Sequence, residues 1–254
     1  MTLRGAFIPE RNIALFLDVD GTLLEIASTP DAVKVPAALR NTLHLAASRS
    51  EGALALISGR PLEVLDRLFA PYVFPAAGQH GLERRDAEGR LSQPQIDTQV
   101  LQPAREILRA LADQHRGILL EDKAGGIAVH FRLAPKCEGL VNQTMSGLAA
   151  SLDDRFMLRH GKFVVELSPR GYSKRTAIEA FMHESPFAGR RPVFIGDDVT
   201  DEDGFEAVNA MGGVSIRVGN TPQTAARYRF GSVSAVIAWL RERNLNLYLS
   251  GVQR

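Results

Sequence analysis

Three short apolar runs constrain the fold of this chain more than any other feature of its sequence. They are Ile13–Leu17, Ala53–Ile57 and Val193–Ile195, and each stops abruptly at polar and glycine residues. Runs of this length predict strands that are buried on both faces. Amphipathic helical patterns begin at Pro36 and Pro61, and proline is favourable at a first helical position. Buried strands that alternate with helices predict an α/β fold, a Rossmann-like parallel sheet with helices on both faces.

The middle of the chain follows a different pattern. Residues 126–132 alternate apolar and polar side chains, as a half-exposed strand does, and further helix and strand patterns follow up to residue 167. This mixture predicts a small antiparallel α+β domain inserted into the parallel core. The expected boundaries are 1–103 and 169–254 for the core domain and 104–168 for the inserted domain.

Composition and charge exclude several classes of partner. The 254 residues carry a formal net charge of +1 without a Lys/Arg-rich run, so we expect no nucleic acid partner. The single cysteine, Cys137, excludes an intrachain disulfide and a cysteine-based zinc site. The first apolar run is too short to cross a bilayer, and Glu10, Arg11 and Asn12 directly precede it. We therefore expect no signal peptide and no membrane partner, but a cytoplasmic chain that acts as a monomer.

Two carboxylates follow the first strand in the segment Asp18-Val19-Asp20-Gly21-Thr22. An aspartate that attacks a phosphoryl group needs a metal ion to offset the repulsion between anions. A second aspartate nearby can protonate the leaving oxygen and later activate water. Gly21 permits close backbone approach, so backbone N–H groups can cradle phosphate oxygens. The alternative is a polar strand end with a turn, which accounts for one aspartate better than for two.

Two further segments carry candidate phosphate contacts. The segment Ser58-Gly59-Arg60 ends the second apolar run, and the Ser58 hydroxyl and the Gly59 N–H are candidate donors. A Ser-Gly turn before a helix is nevertheless common by itself. Lys174 opens a helical pattern, where its charge opposes the helix dipole, in a chain with only five lysines. We expect Lys174 to contact phosphate and the Asp18 carboxylate, although a solvated lysine is the alternative.

Four acids crowd the segment that follows the third apolar run, Gly196-Asp197-Asp198-Val199-Thr200-Asp201-Glu202. A structural turn gains little from their mutual repulsion, whereas a hard cation with oxygen ligands resolves it. Asp197 is the main candidate ligand. Asp201 and Glu202 have an alternative role as acidic residues at the start of a helix, where the dipole stabilises them.

Taken in order, these four segments resemble the haloacid-dehalogenase-like phosphatase superfamily. Finer features are similar to one family within it, the trehalose-phosphate phosphatases, over about Leu15 to Trp239. The acidic segment continues to Phe205 in the pattern GDDxTDExxF. The other matching segments are Ala77–Gly81 for AGxHG, Glu121–Lys123 for ExK, His130–Arg132 for HxR and Val164–Glu166 for VVE.

This resemblance implies a Mg²⁺-dependent phosphatase that hydrolyses trehalose 6-phosphate, a small sugar phosphate, through an aspartyl-phosphate intermediate. Asp18 would be the nucleophile and Asp20 the acid/base, and Asp18, Asp20 and Asp197 would hold Mg²⁺. The auxiliary candidates for the metal are Asp198 and Asp201. The candidate contacts to substrate are Thr22, Ser58, Gly59, Arg60 and His80 together with Lys174, and, from a cap domain, Glu121, Lys123, His130, Arg132 and Glu166.

Several of the implied sugar contacts have simpler interpretations. Lys123 is also consistent with a solvated loop, and Glu166 with the wet face of a strand. His130 and Arg132 would share a strand face and could be structural, and His80 could be a satisfied turn histidine. The chain departs from the family pattern at Arg175, where many relatives have glycine.

Two other functions stay open at this point. One is a related enzyme, a phosphatase for sucrose 6-phosphate or a sugar phosphomutase. The other is a catalytically silent sugar-phosphate sensor or regulatory subunit, although loss of catalysis usually removes Asp18 or Asp20, and both are present.

Overall fold

The computed structural model of the chain describes residues 12–26, 33–123, 125–152 and 154–242. The expected absence of a signal peptide concerns residues outside these ranges, apart from Asn12. The chain divides into two compact units, one formed by residues up to Gln93 together with those from Ser173 onward, and one formed by Pro94–Tyr172. The second unit extends beyond the expected 104–168 range at both ends, and its status as a separate domain stays a prediction.

The first unit contains an eight-stranded sheet in the order β12-β11-β10-β1-β2-β3-β4-β5. The six strands from β12 to β3 are parallel, and β4 and β5 continue the sheet in antiparallel pairing. The strands are β1 (Ile13–Leu17), β2 (Leu54–Ile57), β3 (Ala76–Gly78), β4 (Glu83–Arg85), β5 (Leu91–Ser92), β10 (Arg191–Gly196), β11 (Val214–Val218) and β12 (Tyr228–Phe230).

Helices cover both faces of this sheet because β1 and β2 at its centre are apolar at every position. Alternate residues of β1 point to opposite faces: Leu15 packs into one buried cluster and Phe16 into another. The first cluster includes residues of α1 (Ala37–Arg49), α2 (Leu62–Phe69) and α7 (Val233–Arg241). The second cluster includes residues of α5 (Lys174–Met182) and α6 (Glu202–Ala210). Phe16 stacks there on Phe187 with ring centroids 5.5 Å apart.

The second unit is an antiparallel sheet with helices against one face. Its strand order is β6-β7-β9-β8, and α3 and α4 contribute to the buried cluster behind the sheet. The elements are α3 (Gln102–Gln114), β6 (Leu119–Asp122), β7 (Ile127–His130), α4 (Glu138–Ser151), β8 (Phe156–Gly161) and β9 (Val164–Pro169).

The α/β fold class and the parallel core with helices on both faces are confirmed. Two local predictions are wrong. Pro36 and Pro61 precede the first helical residue as N-caps instead of occupying it. Strand β7 ends at His130, so Arg132 lies beyond the strand and does not share its face. Within the described ranges, no helix is long and apolar enough to cross a membrane.

Candidate active site

The candidate site lies at the carboxyl edge of the parallel sheet. Strand β1 is central and pairs in parallel with β10 on one side and with β2 on the other. Asp18 follows β1, Ser58 follows β2 and Asp197 follows β10 directly. Because parallel strands end at the same edge, these three segments of distant sequence meet there, as ligand sites in such sheets do.

Gly21 allows the chain after β1 to approach the chain after β10. Its φ angle is +85°, and a Cβ atom placed on it would lie 2.1 Å from the Asp197 Oδ2 atom. No side chain larger than hydrogen fits that space without displacing the carboxylate. The glycine of the first motif therefore determines where a residue almost 180 positions later can place its side chain.

Lys174 is the buried cation at the centre of the site. Its Nζ atom donates hydrogen bonds to Asp18 Oδ1 at 2.7 Å and to Asp201 Oδ1 at 2.6 Å, and the lysine is only 2% exposed. The lysine is the first residue of α5, and the Ser173 hydroxyl caps that helix by accepting from the Thr176 N–H. The structure thus brings Lys174 to Asp18, as the sequence predicts.

Asp201 has used both of its oxygens within the protein. Oδ2 accepts the backbone N–H groups of Asp197 and Asp198, both at 2.9 Å, while Oδ1 accepts from Lys174. Its side chain is fully buried. These bonds hold the acidic loop in a tight turn, which gives Asp201 a structural function whether or not a cation is bound.

Asp18 and Asp197 retain carboxylate oxygens that nothing in the described protein satisfies. Asp18 Oδ2 and Asp197 Oδ1 are buried without a hydrogen-bond partner among the described residues. One carboxylate oxygen from each of Asp18, Asp197 and Asp201 lies within 4.8 Å of the others. Buried unpaired carboxylate oxygens that converge in this way fit a hard divalent cation such as Mg²⁺.

The pKa values in this cluster indicate an excess of negative charge. Burial raises the pKa of Asp18 well above its ordinary value, Lys174 lowers it, and Asp201 and Asp197 raise it further. Burial, together with Asp201 and Asp198, raises the pKa of Asp197 to about 7. Burial alone would lower the pKa of Lys174, but Asp18 and Asp201 raise it well above its ordinary value. One lysine does not balance these acids, which again favours an additional cation.

Asp20 is held by Arg60 and is not one of the three converging carboxylates. Arg60 donates from Nε to Asp20 Oδ2 at 2.6 Å and from Nη2 to Oδ1 at 2.8 Å. A bidentate pair of this kind fixes the plane of the carboxylate as well as its position. The structure therefore places Arg60, expected as a contact to substrate, directly on the expected acid/base.

The remaining expected phosphate contacts of the core lie in the segments that follow strands β1, β2 and β3. Thr22 is fully buried, and its hydroxyl has no hydrogen-bond partner among the described residues. Ser58 is 1% exposed, and its hydroxyl accepts the Arg60 N–H at 3.1 Å. The His80 ring covers Gly59, so that a Cβ on Gly59 would lie 2.7 Å from His80 Nε2. His80 itself has a φ of +56°, an uncommon conformation outside glycine and asparagine.

The second unit carries a polar cluster of its own. Lys123 donates to Glu166 in a nearly fully buried ion pair, and His130 Nε2 lies 2.8 Å from Glu121 Oε2. Glu121, Ala128 and Glu166 are register partners across β6, β7 and β9, so they occupy one row on one face of the sheet. Four of the expected sugar contacts therefore form a single cluster.

The ionisation of this cluster is set by its internal pairs. Burial would raise the pKa of Glu121, but the hydrogen bond with His130 and the charge of Lys123 lower it below its ordinary value. Burial would lower the pKa of Lys123, but Glu166 and Glu121 raise it. Both side chains are therefore charged at neutral pH.

Arg132 lies apart from this cluster. Its Nη2 atom donates to the Lys162 carbonyl at 3.0 Å, and its guanidinium lies over the Phe163 ring at 5.1 Å. Asp198 also differs from Asp197, because its Oδ1 accepts the Val199 N–H at 2.8 Å as a cap. Roles for Arg132 in sugar binding and for Asp198 in metal binding stay predictions.

The motifs do not single out Arg217, which contacts the acidic loop. Arg217 donates to the carbonyl of Asp197 at 2.5 Å and to the Glu202 carboxylate. The sequence gives no signal for this role, because Val214–Val218 alternates apolar and polar side chains, and that pattern predicts a half-exposed strand with Arg217 on its wet face.

Comparison with known proteins places the whole arrangement in one family. The family model described as trehalose-phosphatase matches residues 16–234. The chain is 45% identical to the trehalose-6-phosphate phosphatase of Escherichia coli over 227 residues, which is 89% of this chain and 85% of the relative. It is 44% identical to a probable trehalose-phosphate phosphatase of Sinorhizobium fredii, over 89% of this chain and 84% of the relative.

A solved structure shares the fold. The C-terminal domain of Candida albicans trehalose-6-phosphate phosphatase matches with a TM-score of 0.76 and 20% identity, over 91% of each chain. At that identity the likeness concerns the fold alone. Together with the sequence relatives and the family match, it confirms the resemblance that the motifs indicated. The chain belongs to the trehalose-phosphatase family and is a phosphoric monoester hydrolase.

Proposed function

We propose that this protein is a Mg²⁺-dependent phosphatase that converts trehalose 6-phosphate to trehalose and phosphate, with a phosphoryl group carried transiently on Asp18. The observation that carries the proposal is the convergence of Asp18, Lys174 and Asp197 at the edge of the sheet, where two buried carboxylate oxygens have no partner within the described ranges. The names of the relatives in Escherichia coli and Sinorhizobium fredii support the choice of substrate.

In the first step, an oxygen of Asp18 attacks phosphorus in line with the sugar oxygen. A bond forms between phosphorus and Asp18 while the bond between phosphorus and the sugar oxygen breaks. Asp20 gives its proton to the departing oxygen, which leaves as the hydroxyl of trehalose. Since Arg60 holds both oxygens of Asp20, one of them must be released before Asp20 carries a proton.

In the second step, water hydrolyses the aspartyl phosphate. Asp20 takes a proton from the water while the water oxygen forms a bond to phosphorus. The bond between phosphorus and the Asp18 oxygen then breaks. Free phosphate leaves, and both aspartates return to their initial states. Because charge develops on the phosphoryl oxygens, positioning and electrostatics contribute most of the acceleration.

The charge on the phosphate is balanced by groups that are fixed in advance. Lys174 is positioned by Asp18 and Asp201, so its ammonium needs little reorganisation when substrate binds. The buried hydroxyl of Thr22 and the hydroxyl of Ser58 are donors for phosphoryl oxygens. Mg²⁺ held by the carboxylates of Asp18 and Asp197 and the carbonyl of Asp20 would supply positive charge that offsets repulsion between the phosphate and Asp18.

We assign recognition of the sugar hydroxyls to the polar cluster of the second unit. Lys123 pairs with Glu166, and Glu121 pairs with His130, in the cluster described above. Charged groups fixed by one another present hydrogen-bond donors and acceptors at defined positions, as a site for hydroxyl groups requires.

Phosphate release from a panel of sugar phosphates tests this function. Trehalose 6-phosphate, sucrose 6-phosphate and glucose 6-phosphate are compared at equal concentration, with Mg²⁺ and with excess EDTA. We expect trehalose 6-phosphate to have the highest kcat/KM and EDTA to abolish its hydrolysis. A preference for sucrose 6-phosphate would favour the related phosphatase, and binding without phosphate release would favour a sensor.

A further inference from the structure

Arg217 is a buried charge on the strand beside the acidic loop. It lies in β11, is only 4% exposed, and is the register partner of Gly196, the last residue of β10 before the loop. A guanidinium costs free energy to bury, so its position needs compensating contacts. The contacts that Arg217 makes are with the acidic loop.

The guanidinium of Arg217 bridges the two ends of that loop. Nη2 donates to the carbonyl of Asp197 at 2.5 Å, and Nη1 lies 3.4 Å from the carbonyl of Asp198. The same Nη1 donates to the carboxylate of Glu202, the first residue of α6. One planar group thus links the residues that open the loop to the helix that closes it.

Glu202 is itself fixed by a different part of the chain. Its second oxygen accepts the Ala225 N–H at 2.7 Å and the Thr224 hydroxyl at 3.2 Å. Both oxygens of Glu202 therefore have partners within the protein, and its carboxylate anchors Arg217 to the segment before β12. The acids of the loop divide accordingly: Asp197 points to the site, and Glu202 supports the scaffold.

Arg217 acts on the backbone of Asp197 and leaves its carboxylate free for other contacts. The Asp197 N–H is held by Asp201 and its carbonyl by Arg217, so both sides of the residue are fixed. Its Oδ1 atom, unpaired among the described residues, is then aimed into the site. Removing a group that orients a metal ligand without touching the metal typically lowers the affinity for the metal about 10–100-fold.

We propose that Arg217 is a positioning residue that fixes the acidic loop in the conformation that binds a divalent cation. This rests on the proposed function, because it requires Asp197 to be a ligand of Mg²⁺. Lysine would be a poor substitute, since a single ammonium does not reproduce the planar fork that reaches both the loop carbonyls and Glu202.

Calorimetric titration of the full chain with MgCl₂ alone tests the proposal. We expect Arg217→Met to weaken the affinity for Mg²⁺ about 10–100-fold, as loss of an orienting group does, and Arg217→Lys to weaken it in the same direction. The Mg²⁺ concentration for half-maximal phosphate release should rise in parallel, while KM at saturating Mg²⁺ should stay unchanged. That split separates positioning of the loop from a general loss of structure.

Arg229→Lys is the matched control. Arg229 is the register partner of Arg217 on the neighbouring strand β12, but among the described residues it donates to the carbonyl of Thr221 at 2.7 Å and to the Asn220 side chain, not to the acidic loop. Its substitution should leave Mg²⁺ affinity unchanged.

Two outcomes would overturn the role of Arg217. One is a folded Arg217→Met chain with wild-type Mg²⁺ affinity. The other is an Arg217→Lys chain whose affinity for Mg²⁺ stays within about twofold of wild type, because loss of an orienting contact should weaken it by more. This second outcome can be measured even if Arg217→Met does not fold. Failure of the wild-type chain to bind Mg²⁺ would instead overturn the metal site itself.

Discussion

Neighbouring acidic residues of this site differ in the hydrogen bonds that their carboxylate oxygens accept. Asp201 has both oxygens occupied by backbone N–H groups and Lys174, whereas Asp18 and Asp197 each keep one that is buried and has no partner in the described part of the chain. An unpaired buried carboxylate oxygen is costly, so its persistence suggests a ligand that the protein itself does not provide. At the scale of single residues, the distinction between scaffold and site depends on these hydrogen bonds.

Replacing Asp18 with asparagine should abolish turnover. The amide has the size of the carboxylate but is a poor nucleophile, so kcat should fall by several orders of magnitude, as it does when a nucleophile is removed. Lys174 keeps Asp201, so the fold should be retained. Phosphate release and circular dichroism measure the two effects. Wild-type kcat in a folded Asp18→Asn chain would refute the assignment of the nucleophile.

Arg60→Met distinguishes orientation of Asp20 from contact with substrate. If Arg60 orients the acid/base, kcat should fall by roughly 10²-fold, the lower range for general acid-base catalysis, with KM nearly constant. Arg67→Met is the control, since Arg67 is exposed on α2 and pairs only loosely with Glu63 at 3.7 Å. A rise in KM at constant kcat would return Arg60 to the role of a substrate contact.

The turns at the strand ends decide the geometry of the site at the scale of elements. Gly21 and Gly219 both have a φ of +85°. A Cβ on Gly21 would collide with Asp197, whereas a Cβ on Gly219 would meet no atom of the described residues within 4 Å. Alanine at Gly219 therefore measures the free-energy cost of the backbone conformation alone, and alanine at Gly21 adds the cost of the collision with Asp197.

Gly219→Ala should lower the free energy of unfolding by about 1–2 kcal/mol, the cost of a left-handed conformation for a residue with a Cβ. Gly21→Ala should lower it by more, and it should also abolish activity because the Asp197 carboxylate must move. Urea denaturation and phosphate release measure both changes. If the two substitutions had equal effects on stability and activity, the Asp197 carboxylate would be able to move away from the new Cβ atom without loss of stability or activity.

The polar face of the second sheet predicts a change in specificity. Lys123→Met breaks the buried ion pair with Glu166, which should lower the free energy of unfolding and remove a contact to the sugar. We expect kcat/KM for trehalose 6-phosphate to fall at least about tenfold, the loss of about 1.4 kcal/mol, but kcat/KM for p-nitrophenyl phosphate, which has no sugar, to stay close to wild type.

Lys136→Met serves as the control for this experiment, since Lys136 is exposed in the short helical turn before α4. Equal losses for both substrates in Lys123→Met would argue against sugar recognition by the second unit.

At the scale of the whole molecule, cation binding should be coupled to folding. A ligand present at about 100 times its dissociation constant stabilises the native state by about 2.7 kcal/mol. For a chain of this size that corresponds to a rise of roughly 5–10 °C in Tm, which EDTA should reverse. Asp197→Asn should remove the shift with Mg²⁺, and an undiminished shift in that variant would place the cation elsewhere.

Much of the core follows from sequence because its signals are local. Strand β1 has the predicted bounds Ile13–Leu17. Five consecutive apolar residues between polar ones are stable when both faces of the strand are buried, as in a central strand of a parallel sheet. The antiparallel strands β4 and β5 have no such pattern: Glu83–Arg85 is polar, and its pairing with β3 is decided by the sheet edge that it meets.

The sequence by itself determined the α/β core, the family and the residue types that can hold a phosphate and a cation, because these depend on local pattern and side-chain chemistry. Only the tertiary structure decided which carboxylates keep free oxygens, that Arg60 holds Asp20, and that Arg217 braces the acidic loop. The physical reason is that a hydrogen bond depends on distances of about 3 Å between atoms that the chain brings together only when it folds.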